Sequence, residues 1–327
     1  MNSNLPFLLR PAAKDYLWGG TRLNDDFNLN LSCSPLAEAW VCSTHSDGPS
    51  TLDSGETLSE VLKLHPEYLG SHPLTTMNGK AELPILIKLI DAKKNLSVQV
   101  HPDDEYAKVH ENGALGKTEL WYVLDAKEDA SLIYGFNRDM DPAKVRAAIN
   151  NGSVETMLNR MAIHKDDLFY IEAGTVHAIG AGALIAEIQE NSNVTYRLYD
   201  YGRTDKNGKT RQLHIDKALD VANLHSSTAP RQPMRKLSYR PGYASELLCR
   251  CKYFQVERML LNTEGRVLPK VQTGENSFYA LLILDGCGIL FGDGVNIPFF
   301  KGDCFFIPAN SIPLNLHGKA QMLNISC

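Results

Sequence analysis

The feature that most constrains this chain is its punctuation. Short segments rich in Val, Ile, Leu and aromatic residues recur along the 327 residues, each bounded by Gly, Asp, Asn or Pro. Examples span 83–91, 96–101, 119–125, 168–172, 183–189 and 195–201. Strands of an all-β sandwich or barrel are this short and end this way, so a mostly β fold is expected. Helical signals are fewer. Asp141-Pro142 pairs an N-cap with proline in a first turn, and Val145, Ala148 and Ile149 fall on one face. A second helix is expected near 216–224, through Ala218, Leu219 and Val221.

A faint internal repeat organises these segments. Residues 165–177 (KDDLFYIEAGTVH) match 301–313 (KGDCFFIPANSIP) in step, and 120–125 echoes 280–285. The first copy carries extra residues between its two segments, matching the helical stretch around 139–163. Two related β units are expected, the first with a helical insertion. The polar, proline-bearing run 226–233 marks the boundary between them. The expected division is 1–228, an N-terminal catalytic unit with the insertion near 139–163 and the helix near 216–224, and 229–327, a C-terminal non-catalytic β unit. Glu119 and His177 of the first copy correspond to Tyr279 and Pro313 of the second, neither of which suits metal binding or proton transfer at neutral pH. Chemistry is therefore expected in the first unit alone.

Composition removes several function classes. Lys and Arg number 33 against 38 Asp and Glu, a net charge of −5 without any basic block, which argues against a protein dedicated to nucleic acid. No apolar stretch approaches the ~20 residues of a membrane-spanning helix, and the first residues lack a signal peptide's basic head and apolar middle. Seven cysteines, an odd number without C-x-x-C spacing, suit reduced thiols better than a disulfide framework. A cytoplasmic protein with no membrane or nucleic-acid partner is expected.

Four side chains stand at strand ends of the first unit. On the 96–101 strand Ser97, Gln99 and His101 share one face, with Val98 and Val100 on the other. Glu119 opens an apolar-aromatic strand, and His177 follows the turn Ala173-Gly174-Thr175. Each has an ordinary structural reading alone. Together Gln99, His101, Glu119 and His177 can converge on a barrel mouth as an all-N/O ligand set without thiolate, suited to Zn²⁺ and other divalent ions. Arg197 and Lys117 would add two cations beside such a cluster, which favours an anionic substrate. Glu187 shares a strand face with Gln189. No Walker loop or G-x-G-x-x-G is present, so nucleotide binding has little support.

These residues lie in motifs that resemble type I phosphomannose isomerases, cupin-superfamily enzymes. The matching runs are PILIKLIDA (84–92), LSVQVHPDD (96–104), GKTELWY (116–122), GTVHAIGAG (174–182), EIQENS (187–192) and TYRLYDYGR (195–203). Near the N-terminus YLWGG (16–20) and AEAW (37–40) also fit, and the matches keep their order from about residue 10 to 225. The length resembles the short bacterial branch. The resemblance implies two cupin-type jelly-roll units and a zinc-dependent isomerase, one ion per chain, that interconverts mannose 6-phosphate and fructose 6-phosphate. It places the metal ligands on Gln99, His101, Glu119 and His177, the substrate arginine on Arg197 and the acidic acid/base candidate on Glu187. Lys117 falls on the lysine before the metal-binding glutamate, and Ser97 on the phosphate-side serine. Longer relatives carry a different residue between that lysine and the glutamate, so Lys117 serves here as both acid/base and phosphate candidate. The implied partner is a small sugar phosphate, and the implied assembly is a monomer or homodimer. Two other readings compete: a 2-His-1-carboxylate Fe(II) oxygenase, and a non-catalytic sugar-phosphate sensor.

Overall fold

Three antiparallel sheets carry the fold in the computed structural model, which describes residues 4–204, 208–227, 235–265 and 267–327. A six-stranded sheet runs in the order Ala12–Lys14, Glu38–Cys42, Ile85–Ala92, Ala183–Glu190, Glu119–Ala126, Leu168–Ile171. Facing it, a five-stranded sheet runs Tyr196–Tyr199, Val98–Val100, His177–Ile179, Ser131–Phe136, Leu158–Ala162. The third sheet has nine strands and is built mostly from the last third of the chain, around the long strands Tyr279–Gly292 and Leu314–Ser326.

Period-two alternation sends the six-stranded sheet's side chains into two different cores. Ile90, Trp121, Val123 and Ile185 point toward Leu132 and Ile179 of the five-stranded sheet. Leu89, Leu120, Tyr122 and Ile188 point the other way, against Phe254, Phe278, Phe306 and Ile325 of the nine-stranded sheet. With both faces covered, every residue of Ile85–Ala92 and Ala183–Glu190 is buried, so these stretches are mainly apolar and their few polar side chains, Lys88, Asp91, Glu187, Gln189 and Glu190, are buried ones. Each fully buried Leu, Ile or Phe contributes about 1.5–3 kcal/mol. The outer face of the five-stranded sheet is closed by helices: Val98, Val100 and Leu198 pack on Val145, Ala148 and Ile149 of Pro142–Asn150 and on Ala218 of Ile215–Val221.

The expected strands and both expected helices are present. The 139–163 insertion is only partly helical: after the Asp141-capped helix it makes a 3₁₀ turn, Val154–Met157, and then the edge strand Leu158–Ala162. Four further α-helices, Arg22–Asp25, Leu58–Leu64, Ser71–Thr76 and Asp104–His110, lie outside the expected ones. Most of the proposed boundary at 226–233 falls on 228–234, outside the described residues. The first strand, Phe7–Leu9, joins the nine-stranded sheet beside Cys304–Ile307, so the N-terminal segment contributes to the architecture of the C-terminal third.

The two similar segments form antiparallel strand pairs in the same register, each between strands that are not consecutive in the chain. Glu119 pairs with Ile171 as Tyr279 pairs with Ile307. In the turns, Asp166 and Gly302 occupy the same position with φ of 71° and 97°. A Cβ at Gly302 would stand 2.6 Å from Phe27 O, so glycine is required there. The Asp167 carboxylate accepts the His164 N–H at 2.7 Å, and Asp303 accepts the Phe300 N–H at 2.8 Å.

Candidate active site

The five-stranded sheet aligns three of the expected residues side by side. Gln99 is the register partner of His177 on one flank and of Arg197 on the other. His101 follows the end of its strand, where Pro102 stops the ladder. Across the gap, the six-stranded sheet presents a second row: Trp40, Lys88, Glu187 and Trp121 are successive register partners on four adjacent strands. Glu119 lies two residues before Trp121 on the same inward face.

Between these rows the ligand atoms of His101, Glu119 and His177 all lie within 4.8 Å of one another, and the three side chains are buried. Among the described residues no other cluster of His, Cys, Asp and Glu meets that condition. The distance from His101 Nε2 to Glu119 Oε1 is 3.2 Å, and from His177 Nε2 to Glu119 Oε2 3.8 Å. Each imidazole places Nδ1 2.8 Å from a backbone carbonyl, that of Val194 for His101 and that of Thr175 for His177. Those bonds assign the proton to Nδ1 and leave both Nε2 lone pairs facing inward. Gln99 brings its amide to the edge of the group, Nε2 3.4 Å from His177 Nε2.

The electrostatics favour a cation. Burial, then Lys117, pushes the His101 imidazole down to about 3, and burial lowers His177 as well, so both are neutral donors at pH 7. Burial opposes ionisation of Glu119, yet Lys117 and the two imidazoles hold it well below the usual carboxylate range. Its Oε1 receives no aligned hydrogen bond although Lys117 Nζ stands 2.8 Å away. An orphaned carboxylate oxygen beside two inward imidazole lone pairs fits a divalent metal ion.

A cavity of about 260 Å³ lies beside this cluster, lined by its neighbours Gln99 and Lys117 and by Ser97, Glu187, Arg197 and Arg211. The Arg197 guanidinium donates to Ser97 Oγ at 3.2 Å and to Gln212 O at 2.9 Å, and no carboxylate among the described residues pairs with it. An unneutralised guanidinium at the cavity wall is a ready anion site. Glu187 accepts from Lys88 Nζ at 2.9 Å and from Trp121 Nε1 at 2.9 Å. Burial and the Glu119 charge raise its proton affinity. Burial works against a charge on Lys88, but Glu187, Glu38 and Glu119 hold it protonated.

Five of the eight expected residues, Ser97, Gln99, Lys117, Glu187 and Arg197, line this cavity; His101, Glu119 and His177 form the buried cluster beside it, in contact with Gln99 and Lys117. Sequence reasoning missed Lys88, Glu38 and Arg211, which also line the cavity. A lysine inside the apolar run 85–92 was a visible signal for Lys88. Arg211 has none, because it sits in a loop and is aimed by its pairing with Asp200.

Comparison with known proteins gives the same direction. Residues 7–131 match the family model for the type I phosphomannose isomerase catalytic domain, and 245–326 the model for the mannose-6-phosphate isomerase cupin domain. The probable mannose-6-phosphate isomerase GmuF of Bacillus subtilis is 38% identical, over 97% of this chain and 98% of its own. Mannose-6-phosphate isomerase ManA of the same organism is 36% identical over the same shares. The crystal structure of the mannose 6-phosphate isomerase from Bacillus subtilis superposes with a TM-score of 0.88 at 34% identity, covering 98% of this chain and 99% of that one. With its full-length similarity, its β architecture and its His-Glu-His cluster, the chain belongs to the type I phosphomannose isomerase family.

Proposed function

We propose that this chain interconverts mannose 6-phosphate and fructose 6-phosphate, using a divalent ion, zinc in first place, held by His101, Glu119, His177 and Gln99. The observation that carries this reading is a metal-fitting His-Glu-His cluster behind the wall of a cavity that Gln99, Lys117 and Arg197 line, with Arg197 left without a carboxylate partner among the described residues. Gln99 becomes the fourth ligand once its amide turns its oxygen toward the cluster. Arg197 and Ser97 take the phosphate, with Lys117 the nearer cation to the sugar, and phosphate binding fixes the sugar in register.

The reaction moves one proton between C2 and C1. Glu187 takes the C2 proton of open-chain mannose 6-phosphate, the electrons form the C1–C2 double bond of an enediol, and the same proton returns to C1. The hydroxyl proton on O2 shifts to O1, with Lys117 as donor and acceptor beside the oxygens. Burial and the neighbouring Glu119 charge make Glu187 a stronger base than an exposed glutamate. When bound, the metal supplies Lewis-acid polarisation of the sugar oxygens. The seven free thiols support a reducing compartment, the cytoplasm, and no helix among the described residues is long and apolar enough to cross a membrane.

A coupled assay of mannose 6-phosphate conversion, before and after chelation and zinc addition, tests the whole reading. Activity should vanish with the chelator and return with zinc. A fully metallated protein that converts no mannose 6-phosphate would sink it.

A further inference from the structure

We propose that Trp121 is a positioning residue whose single indole N–H is shared between the metal-binding carboxylate and the acid/base carboxylate, holding Glu119 and Glu187 in fixed orientation. The inference rests on the isomerase reading above for the roles of those two glutamates.

The geometry is specific. Trp121 Nε1 lies 3.0 Å from Glu119 Oε2 and 2.9 Å from Glu187 Oε2. The indole is 1% exposed and sets its edge against the His177 ring, centroids 5.3 Å apart at 79°. The outer oxygen of each carboxylate faces a lysine: Glu187 Oε1 lies 2.9 Å from Lys88 Nζ, and Glu119 Oε1 lies 2.8 Å from Lys117 Nζ. The result is one buried line, lysine, glutamate, indole, glutamate, lysine, with Trp121 at its centre. Register puts it there, because Trp121 is the cross-strand partner of Glu187 and lies two residues from Glu119 on the same face.

Two buried carboxylates aimed at one point repel unless a donor lies between them. A cation there would neutralise the pair and compete with the metal. A hydroxyl could rotate to face only one of them. An indole N–H is donor-only, carries no charge and is fixed by its ring, so it satisfies both oxygens without altering the charge of the site. Oriented in this way, Glu119 keeps Oε1 toward the imidazole side and Glu187 stays at the cavity wall.

Trp121→Phe keeps an aromatic ring on the His177 side and removes the donor together with part of the indole's volume. Its zinc dissociation constant, read by competition with a chromophoric chelator, should weaken about ten- to a hundredfold, the usual cost of losing a partner of a metal ligand. The kcat should fall by a similar factor while KM for mannose 6-phosphate holds. Wild-type zinc affinity together with wild-type kcat in this variant would overturn the proposal. A second measurement does not depend on that variant folding. The protein has 3 tryptophans, so ¹⁵N-labelled wild type gives a small set of indole N–H signals. One of them should move both on zinc titration and in Glu187→Gln, and a set in which none responds to both refutes the shared bond. If the wild type shows no isomerase activity, the isomerase reading fails, whereas zinc affinity and the indole signals still decide the role of Trp121.

Discussion

Arg197 and Glu190 are two charged residues whose surroundings give opposite predictions. Among the described residues Arg197 has only neutral acceptors, which leaves its charge for a phosphate. Arg197→Ala should cut kcat/KM for mannose 6-phosphate at least about a hundredfold, through loss of substrate registration, with zinc content unchanged by elemental analysis. A near-normal rate would remove Arg197 from the phosphate site. Glu190 points the other way from the same sheet as Glu187, accepting the Thr118 N–H at 2.8 Å. Burial and the nearby Asp104 push its carboxyl up to about 8 from an ordinary 4.5. Asp104 is itself paired with Lys252 at 2.9 Å and takes the Tyr253 hydroxyl at 3.1 Å. A raised folded-state value means the folded protein binds the extra proton, so this stabilisation is complete below about 4.5 and is lost as pH rises through about 8. Glu190→Gln should therefore melt higher than wild type at pH 9, with the advantage shrinking toward pH 5. An advantage that does not depend on pH would show that Glu190 is not the titrating group. At this scale the sequence singled out the proposed ligands, because each heads or follows a strand within a recognisable run. It did not reveal Arg211, nor the partner of Lys88. The Lys88 contact with Glu187 joins residues 99 apart, and only strand register makes them neighbours.

At the scale of elements, turn and cap chemistry decided what was legible. Asp141 announced its helix through proline in the first turn, and its carboxylate caps the Ala143 and Lys144 N–H groups. The helix Leu58–Leu64 carried an equally local signal that was overlooked: Thr57 and Glu60 form a reciprocal capping box. Thr57→Ala should cost about 1 kcal/mol in a urea unfolding midpoint experiment, because the helix packs Leu58 and Leu62 into the core shared with the nine-stranded sheet. A variant indistinguishable from wild type would mean that packing alone holds this helix. The 158–162 strand was hidden because its alternation is weak and it lies at a sheet edge, half exposed, where neighbouring strands supply what its own residues do not.

Across the whole molecule, the six-stranded sheet is shared property. One face builds the metal cluster and the other packs on the nine-stranded sheet, where Gln321 and Arg258 both donate to the Tyr122 hydroxyl, at 2.8 and 3.0 Å. Arg258 and Arg235 close around the buried Glu246 at 2.6 and 2.7 Å. Tyr122 directly follows Trp121, so the clamp of the metal site and the anchor of the second core are adjacent residues on one strand. The sequence showed two β-rich portions and their resemblance. It could not show this shared wall or the return of Phe7–Leu9 to the last third of the chain, since both depend on pairings between distant segments. The matched strand pairs have a further use, as a control experiment carried inside one polypeptide. Both hold the same register, the same positive-φ turn and the same carboxylate lock, but only one bears His177 and Glu119. Mutational sensitivity at 301–313 measures what the turn's geometry alone demands. Any additional sensitivity at 165–177 is the share owed to chemistry.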